Sequence, residues 1–187
     1  MAVEPQQFQQ KWEPVLRPEL RENKSTEHVG EREFVRRAPD IQIVPARGKH
    51  CRSIGRRLRE SDRLEVQRSG RLGPVEALRQ SMRNSDAFTV LIDGRPEIMY
   101  GVGDLNVLAG IGGVWLLGTD AITRNWRWFL RATAEGRQSL FGRHQVLRNV
   151  VDSENVASIR WLRWLGASFP GAIEIHGHPF VLFELRK

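Results

Sequence analysis

The sequence predicts an α/β domain with a mixed central sheet flanked by helices, preceded by an extended N-terminal arm. The domain is indicated by apolar runs of strand length that alternate with segments of helical period from Ile41 onward. The dipeptide Asp93-Gly94, which favours tight hairpins, separates two of these runs. Residues 1–40 are rich in Gln, Glu, Arg and Pro and have too little aliphatic surface to fold alone. We therefore expect a partner-docking arm over 1–40 and a domain over 41–187.

In the first half of the domain, local signals predict a strand, two helices and a hairpin. Residues 41–46 alternate between apolar and polar side chains, as a half-buried strand does. Apolar residues recur at helical spacing from His50 to Arg68, and Pro74 opens a second, shorter helix. The two apolar runs beside Asp93-Gly94 form the arms of the hairpin.

The second half is predicted to contain a strand, a long helix, a strand, a short helix and a closing hairpin. Asn155 or Ser153 is the predicted start of the short helix, and Gly166 is its predicted C-terminal cap. The segments are, in order, Gly113–Gly118, about Ile122–Gly142, Gln145–Asp152, a helix ending at Leu165, and the arms Ile173–Ile175 and Phe180–Leu185.

The charge of the chain indicates an anionic neighbour. Lys and Arg number 29 against 22 Asp and Glu, a net charge of +7, and the pI is about 10.6. One interpretation of this positive charge is nonspecific contact with the phosphates of DNA. An equal alternative is that the genome is GC-rich and favours arginine codons. No apolar run approaches the roughly 20 residues that span a bilayer, so we expect no membrane span.

Two classes of site are not expected. Cys51 is the single cysteine, so neither a disulfide framework nor a cysteine-based metal site can form within the chain. His176 and His178 flank a glycine in a predicted turn and have no third ligand nearby, which favours a turn over a metal site.

The later part of the chain resembles the GCN5-related N-acetyltransferase (GNAT) family. The resemblance covers Ile41 to the C-terminus and is most specific at Asn155, Ser158, Leu162 and the run Leu165-Gly-Ala-Ser-Phe169, which is similar to the family's late helix. It implies that the strand at 114–117 diverges from the strand at 146–151, and that the gap admits the pantetheine arm of acetyl-CoA.

The chain departs from the family pattern at two places. The family binds diphosphate on a Gln/Arg-x-x-Gly-x-Gly loop, whereas the stretch after Gly118 has no glycine and carries Asp120. The slot of the family's proton-donating tyrosine holds Leu162, and the chain's single tyrosine is Tyr100. Glu97 and Asp104 are weak candidates for a general base, and both also fit ordinary loop or strand-end roles. If CoA binds, the resemblance implies contacts from Leu117, Gly118, Thr119, Arg124, Asn125 and Asn155.

A second resemblance is to the internal virion (core) protein A family of short-tailed phages. It rests on the strand ending in Gly118-Thr-Asp120, the long basic helix, and the run Ser158-Ile-Arg-Trp-Leu followed by Gly-Ala-Ser-Phe169. This resemblance implies a phage virion protein that is assembled in the host cytoplasm.

From both resemblances we expect a virion structural or assembly protein with a catalytically silent GNAT-like domain and no cofactor. It would dock on a portal, adaptor, tail or internal-core assembly, in multiple copies around a symmetric ring. The alternative is an acetyl-CoA-dependent N-acetyltransferase. The residues expected at the docking interface are exposed aromatic and arginine side chains: Phe8, Trp12, Phe34, Arg56, Arg57, Trp128, Arg131 and Trp164.

Overall fold

A seven-stranded sheet with the strand order β1-β2-β3-β4-β5-β7-β6 runs through the part of the chain that the structure describes. The structure is a computed structural model, and it describes residues 39–70 and 72–187. Neighbouring strands are antiparallel except β4 and β5, which are parallel. The strands are β1 Ile41–Pro45, β2 Asp86–Ile92, β3 Arg95–Asn106, β4 Ile111–Gly118, β5 Val146–Asp152, β6 Ser168–Ile175 and β7 His178–Arg186.

Helices cover both faces of the sheet. Met99 and Leu117 pack with the helices on one face, which we call the α2 face, while Ile98 and Leu116 pack with those on the other, the α5 face. This division follows from the alternation of side chains along each strand. The α2 face carries α1 Gly48–Gly55, α2 Glu60–Ser69 and α3 Pro74–Arg83, and the α5 face carries α4 Ala121–Arg124, α5 Trp126–Phe141 and α6 Val156–Trp164.

Two of the predicted helices are interrupted, the first by a tertiary contact and the second at a local turn. The helix expected over 50–68 breaks between α1 and α2, where the N–H of Arg59 donates to the carbonyl of Gly118 at 3.0 Å and Leu58 bridges to Thr119. The helix expected over 122–142 breaks at Asn125, whose side chain donates to the carbonyl of Ala121 at 2.9 Å. Helical periodicity is unaffected by such breaks, so the sequence did not indicate them.

The predicted turns and caps are confirmed. Asp93 and Gly94 take φ values of 52° and 74° between β2 and β3, the left-handed region that this hairpin turn requires. Gly166 follows α6 with φ of 87°, and the side chain of Asn155 accepts from the N–H of Ser158 at 3.2 Å at the start of that helix. The closing hairpin, β6 and β7, is longer than the sequence indicated.

Part of the expected architecture lies outside the described residues. This applies to residues 1–38, and hence to nearly all of the expected arm, including Phe8, Trp12 and Phe34. Among the helices of the described residues, none is long and apolar enough to cross a bilayer.

Candidate functional site

The two parallel strands at the centre of the sheet diverge. Their pairing is confined to Ile111–Gly113 on β4 and Val146–Arg148 on β5, although both strands continue beyond it. At the point of divergence the side-chain amide of Asn149 donates to the carbonyl of Val114 at 2.7 Å, in place of a backbone ladder bond. The expectation that these strands splay is confirmed.

The divergence opens a cleft of about 370 Å³ that passes through the sheet. Thr133 and Trp161 line it on the α5 face, while Asp62, Glu65 and Gln80 line it on the α2 face. Its volume lies within the roughly 300–1,000 Å³ of small-molecule sites. Side chains from both faces of the sheet therefore line the same gap.

Backbone groups of β4 point into this gap. The carbonyl of Val114 accepts from β5, and the N–H of Gly118 donates to the carboxylate of Asp62 at 2.9 Å, so both residues direct their backbone groups away from β3. Because alternate residues of a strand direct these groups to the same side, Leu116 presents its N–H and C=O to the gap. An extended ligand lying there can bond to them as an added strand would.

The N-terminus of α5 supplies donors near the end of β4. The first i to i−4 bond of this helix runs from the N–H of Phe129 to the carbonyl of Asn125 at 3.0 Å, and the side chain of Asn125 at the N-cap position does not cap the helix. The N–H groups of residues 126–128 therefore have no partner within the helix, and the helix dipole favours an anion there. Arg124 and Arg127 add positive charge, the latter with its guanidinium carbon 5.3 Å from the ring centre of Trp126.

A buried phenol lines the cleft. The hydroxyl of Tyr100 has no hydrogen-bond partner among the described residues, although the residue is only 8% exposed. Burial raises the pKa of this phenol, so it remains protonated. Leu162, in the tyrosine slot of α6, also lines the cleft. Tyr100 on β3 is thus the phenol hydroxyl among the described residues that line the cleft, and in the sequence it was marked only as the single tyrosine.

A carboxyl group lines the cleft from the α2 face. Glu65 Oε2 accepts from the side-chain amide of Asn155 at 3.0 Å and from the N–H of Asp152 at 3.4 Å. Burial, followed by the nearby charges of Asp62 and Asp152, raises the pKa of Glu65 from 4.5 to about 7. Sequence reasoning missed Glu65, because an acidic residue on an amphipathic helix is ordinarily expected on its solvent-exposed side.

The two carboxylates that the sequence offered as bases do not line the cleft. Glu97 is 4% exposed, pairs with Arg57 at 2.9 Å, and accepts from the hydroxyl of Thr119. Asp104 lies at the opposite end of β3, where it pairs with Arg143 and accepts from His144 at 2.7 Å. Both therefore have internal partners that account for their positions.

The residues implied for CoA contact fall into two groups. Leu117 and Asn155 line the cleft, whereas Arg124 and Asn125 line a smaller cavity beside Glu97, near the start of α5. Gly118 and Thr119 join the two regions, with Thr119 donating its N–H to the carbonyl of Glu97 at 2.9 Å.

The expected interface residues have different environments. Trp164 is 55% exposed, and Arg56 and Arg131 are also exposed. Trp128 instead packs against the core of the α5 face, and Arg57 is engaged by Glu97. Docking through these residues remains a prediction.

No protein-family model matches the chain, and no curated protein matches it. Solved structures do, and they have the GNAT fold. A GNAT-family acetyltransferase from Bacillus anthracis is 12% identical, covers 78% of this chain and 94% of its own, and has a TM-score of 0.60. A GCN5-related N-acetyltransferase from Kribbella flavida is 14% identical over 79% of this chain and 98% of its own, with a TM-score of 0.58. A ribosomal-protein-S5-alanine acetyltransferase from Vibrio fischeri is 13% identical over 78% of this chain and 92% of its own, also with a TM-score of 0.58.

These similarities establish that the described domain has the GNAT fold, as the sequence indicated. They overturn the expected phage structural role, because the structural neighbours are acetyltransferases. Nothing supports the resemblance to the phage virion family. The virion location and the ring of phage partners were inferred from that resemblance, and they remain untested predictions.

Proposed function

We propose that this protein is an N-acyltransferase that uses acetyl-CoA or a related thioester as its acyl donor. The observation that carries the proposal is the cleft at the divergence of β4 and β5, which side chains from both faces of the sheet line. A transferase of this kind must bring a long donor and a separate amine to one point, and a through-sheet cleft provides that arrangement.

The residues present fit such a donor. The gap between β4 and β5 can accept an extended pantetheine arm beside Leu116, whose N–H and C=O face it. Tyr100 offers a buried hydroxyl that none of the described residues bonds. The uncapped N-terminus of α5, with Arg124 and Arg127, can hold phosphate groups, so the missing glycines do not remove every donor.

When bound, the thioester supplies an acyl group that is activated toward amines. The N–H of Leu116 can hold a carbonyl oxygen of the ligand, and such fixed donors stabilise charge that develops on oxygen. Tyr100, which remains protonated, can donate to a ligand atom in the cleft. Val114 and Trp161 add apolar surface to the lining of the gap, and low local polarity strengthens such electrostatic contacts.

Calorimetric titration with acetyl-CoA tests the proposal. We expect a micromolar Kd, and much weaker binding of adenosine 3′,5′-diphosphate, which lacks the pantetheine arm. R127E should weaken acetyl-CoA binding about tenfold, the effect of about 1.4 kcal/mol. R131E, one turn further along the same helix and exposed, should leave it unchanged. Absence of binding at millimolar acetyl-CoA would refute the proposal.

The acceptor is a primary amine in this proposal. The Vibrio fischeri neighbour is described as acting on an alanine of ribosomal protein S5. A peptide with a free N-terminal alanine and a blocked peptide with one lysine are therefore suitable first acceptors, with release of the free thiol as the measured signal.

A further inference from the structure

We propose that Glu65 is the general base of the reaction and that it accepts a proton from an amine entering by the α2 face. This inference rests on the proposed function. It assigns the base to helix α2, whereas the sequence offered Glu97 on β3 and Asp104 further along that strand.

The two oxygens of the Glu65 carboxyl group have different surroundings. Both hydrogen bonds that the structure gives Glu65 go to Oε2, from Asn155 at 3.0 Å and from Asp152 at 3.4 Å. Among the described residues no hydrogen bond reaches Oε1, yet this atom is not among the buried unpartnered atoms, so it retains some accessible surface. The residue itself lines the cleft. One oxygen is thus anchored while the other is open to a ligand.

The arginines near the Glu65 carboxyl group are paired with other acidic side chains. Arg59 donates to Asp62 at 2.7 Å and to Ser158 at 3.2 Å, while Arg68 donates to Asp152 at 2.8 Å. Arg68 also bonds to Glu154 at 2.7 Å. The two nearby arginines are therefore engaged by other groups, and no cation among the described residues pairs with Glu65.

This environment tunes Glu65 for proton transfer. Burial and the carboxylates of Asp62 and Asp152 disfavour its ionised form, and its pKa rises to about 7. A general base is most effective when its pKa lies near the working pH. A cationic acceptor also suits this part of the cleft, where Asp62 and Glu65 line it and Arg59, the cation beside them, is paired with Asp62.

The step balances without any further reactant. Glu65 takes one proton from the acceptor ammonium, and the freed lone pair on nitrogen forms the C–N bond to the acyl carbon. The C–S bond breaks and its electron pair leaves on sulfur. The second proton of the nitrogen ends on that sulfur, giving amide and free thiol, and Glu65 releases its own proton to water.

Glu65→Gln separates this role from a structural one. The amide oxygen of glutamine can still accept from Asn155, so the anchor is retained while the basic group is lost. Glu60→Gln is the matched control, because Glu60 lies on the same helix, is exposed, and pairs with Arg63 on the surface.

The experiment measures kcat/KM between pH 5.5 and 9 with acetyl-CoA and the two peptides, one with a free N-terminal alanine and one with a single lysine. We expect the wild-type value to rise with a midpoint near pH 7. E65Q should lose about 100-fold or more and become flat through that midpoint, as general bases contribute 10²–10⁴-fold. E60Q should match the wild type. The Kd of E65Q for acetyl-CoA, measured calorimetrically, should stay within about threefold of the wild type.

Each contrary outcome has a distinct meaning. E65Q that keeps both the wild-type rate and the wild-type pH midpoint overturns the role of Glu65 and leaves the proposed function standing. E65Q that loses acetyl-CoA affinity to the same extent as rate shows a structural role and also overturns it. Wild-type protein that binds acetyl-CoA but acylates neither peptide overturns the amine-accepting role, and wild-type protein that does not bind overturns the function itself.

Discussion

Replacing Glu65 by Gln should stabilise the free protein above neutral pH, and the size of the effect follows from its environment. In the folded protein the pKa of Glu65 is about 7, raised from 4.5. Below pH 4.5 the carboxyl is protonated in both the folded and the unfolded chain. As pH rises from 4.5 to 7 the unfolded chain releases this proton first, so ionisation favours unfolding.

The difference in pKa corresponds to about 3 kcal/mol of lost stability once both states are ionised. Glutamine has no charge to bury, so E65Q escapes this loss. The free energy of unfolding of E65Q should equal that of the wild type near pH 4.5 and exceed it by up to about 3 kcal/mol at pH 8. With a urea m-value of about 1–3 kcal/mol/M, the unfolding midpoint shifts by about 1–3 M.

Urea unfolding followed by tryptophan fluorescence measures this effect at pH 4.5, 6, 7 and 8. The wild-type chain has six tryptophans to report it. E60Q serves as the control, since Glu60 is exposed and its substitution should give a difference that does not vary between these pH values. A difference between E65Q and wild type that is constant with pH would refute the reasoning, as would an E65Q protein less stable than wild type at pH 8.

Three other substitutions test the remaining assignments. Y100F should change the free energy of unfolding by no more than about 1 kcal/mol, because no described residue bonds the hydroxyl, yet reduce the rise in Tm that acetyl-CoA produces; a loss of stability equal to that of a bonded tyrosine would contradict this. E97Q should cost about 3 kcal/mol by leaving Arg57 without its buried partner, while the folded protein keeps the rate of thiol release that the proposed function gives it. G112A should cost about 1–3 kcal/mol in thermal or urea unfolding, since its Cβ would lie 2.8 Å from the ring of His144; an unchanged Tm would count against this packing.

The lack of glycine after β4 was the reason for predicting a catalytically silent domain. That interpretation treated glycine as the source of the phosphate-binding amides. In the structure the uncapped first turn of α5, which follows the break at Asn125, has free N–H groups, and the proposed function assigns the phosphate contacts to them. Because a helix N-terminus presents free N–H groups whatever its side chains, a motif based on residue type misses them.

The proposed acid–base residues, Glu65 and Tyr100, could not be identified from the sequence either. Glu65 and Asn155 are 90 positions apart, and they meet because α2 packs beside the end of β5. Tyr100 lies on β3, where an aromatic side chain is ordinarily predicted to pack in the hydrophobic core. The two features that distinguish it, its burial and its unpartnered hydroxyl, exist only after the sheet and α5 come together.

Sequence patterns were sufficient to predict the order of the elements, the Asp93-Gly94 hairpin, the Asn155 and Gly166 caps, and through them the fold class. These features depend on periodicity and on backbone preferences of neighbouring residues, which act locally. Only the tertiary structure decided where β4 and β5 part, which carboxyl faces the gap, and which donors remain free. Those properties depend on contacts between residues far apart in the chain, and on burial, which no local pattern records.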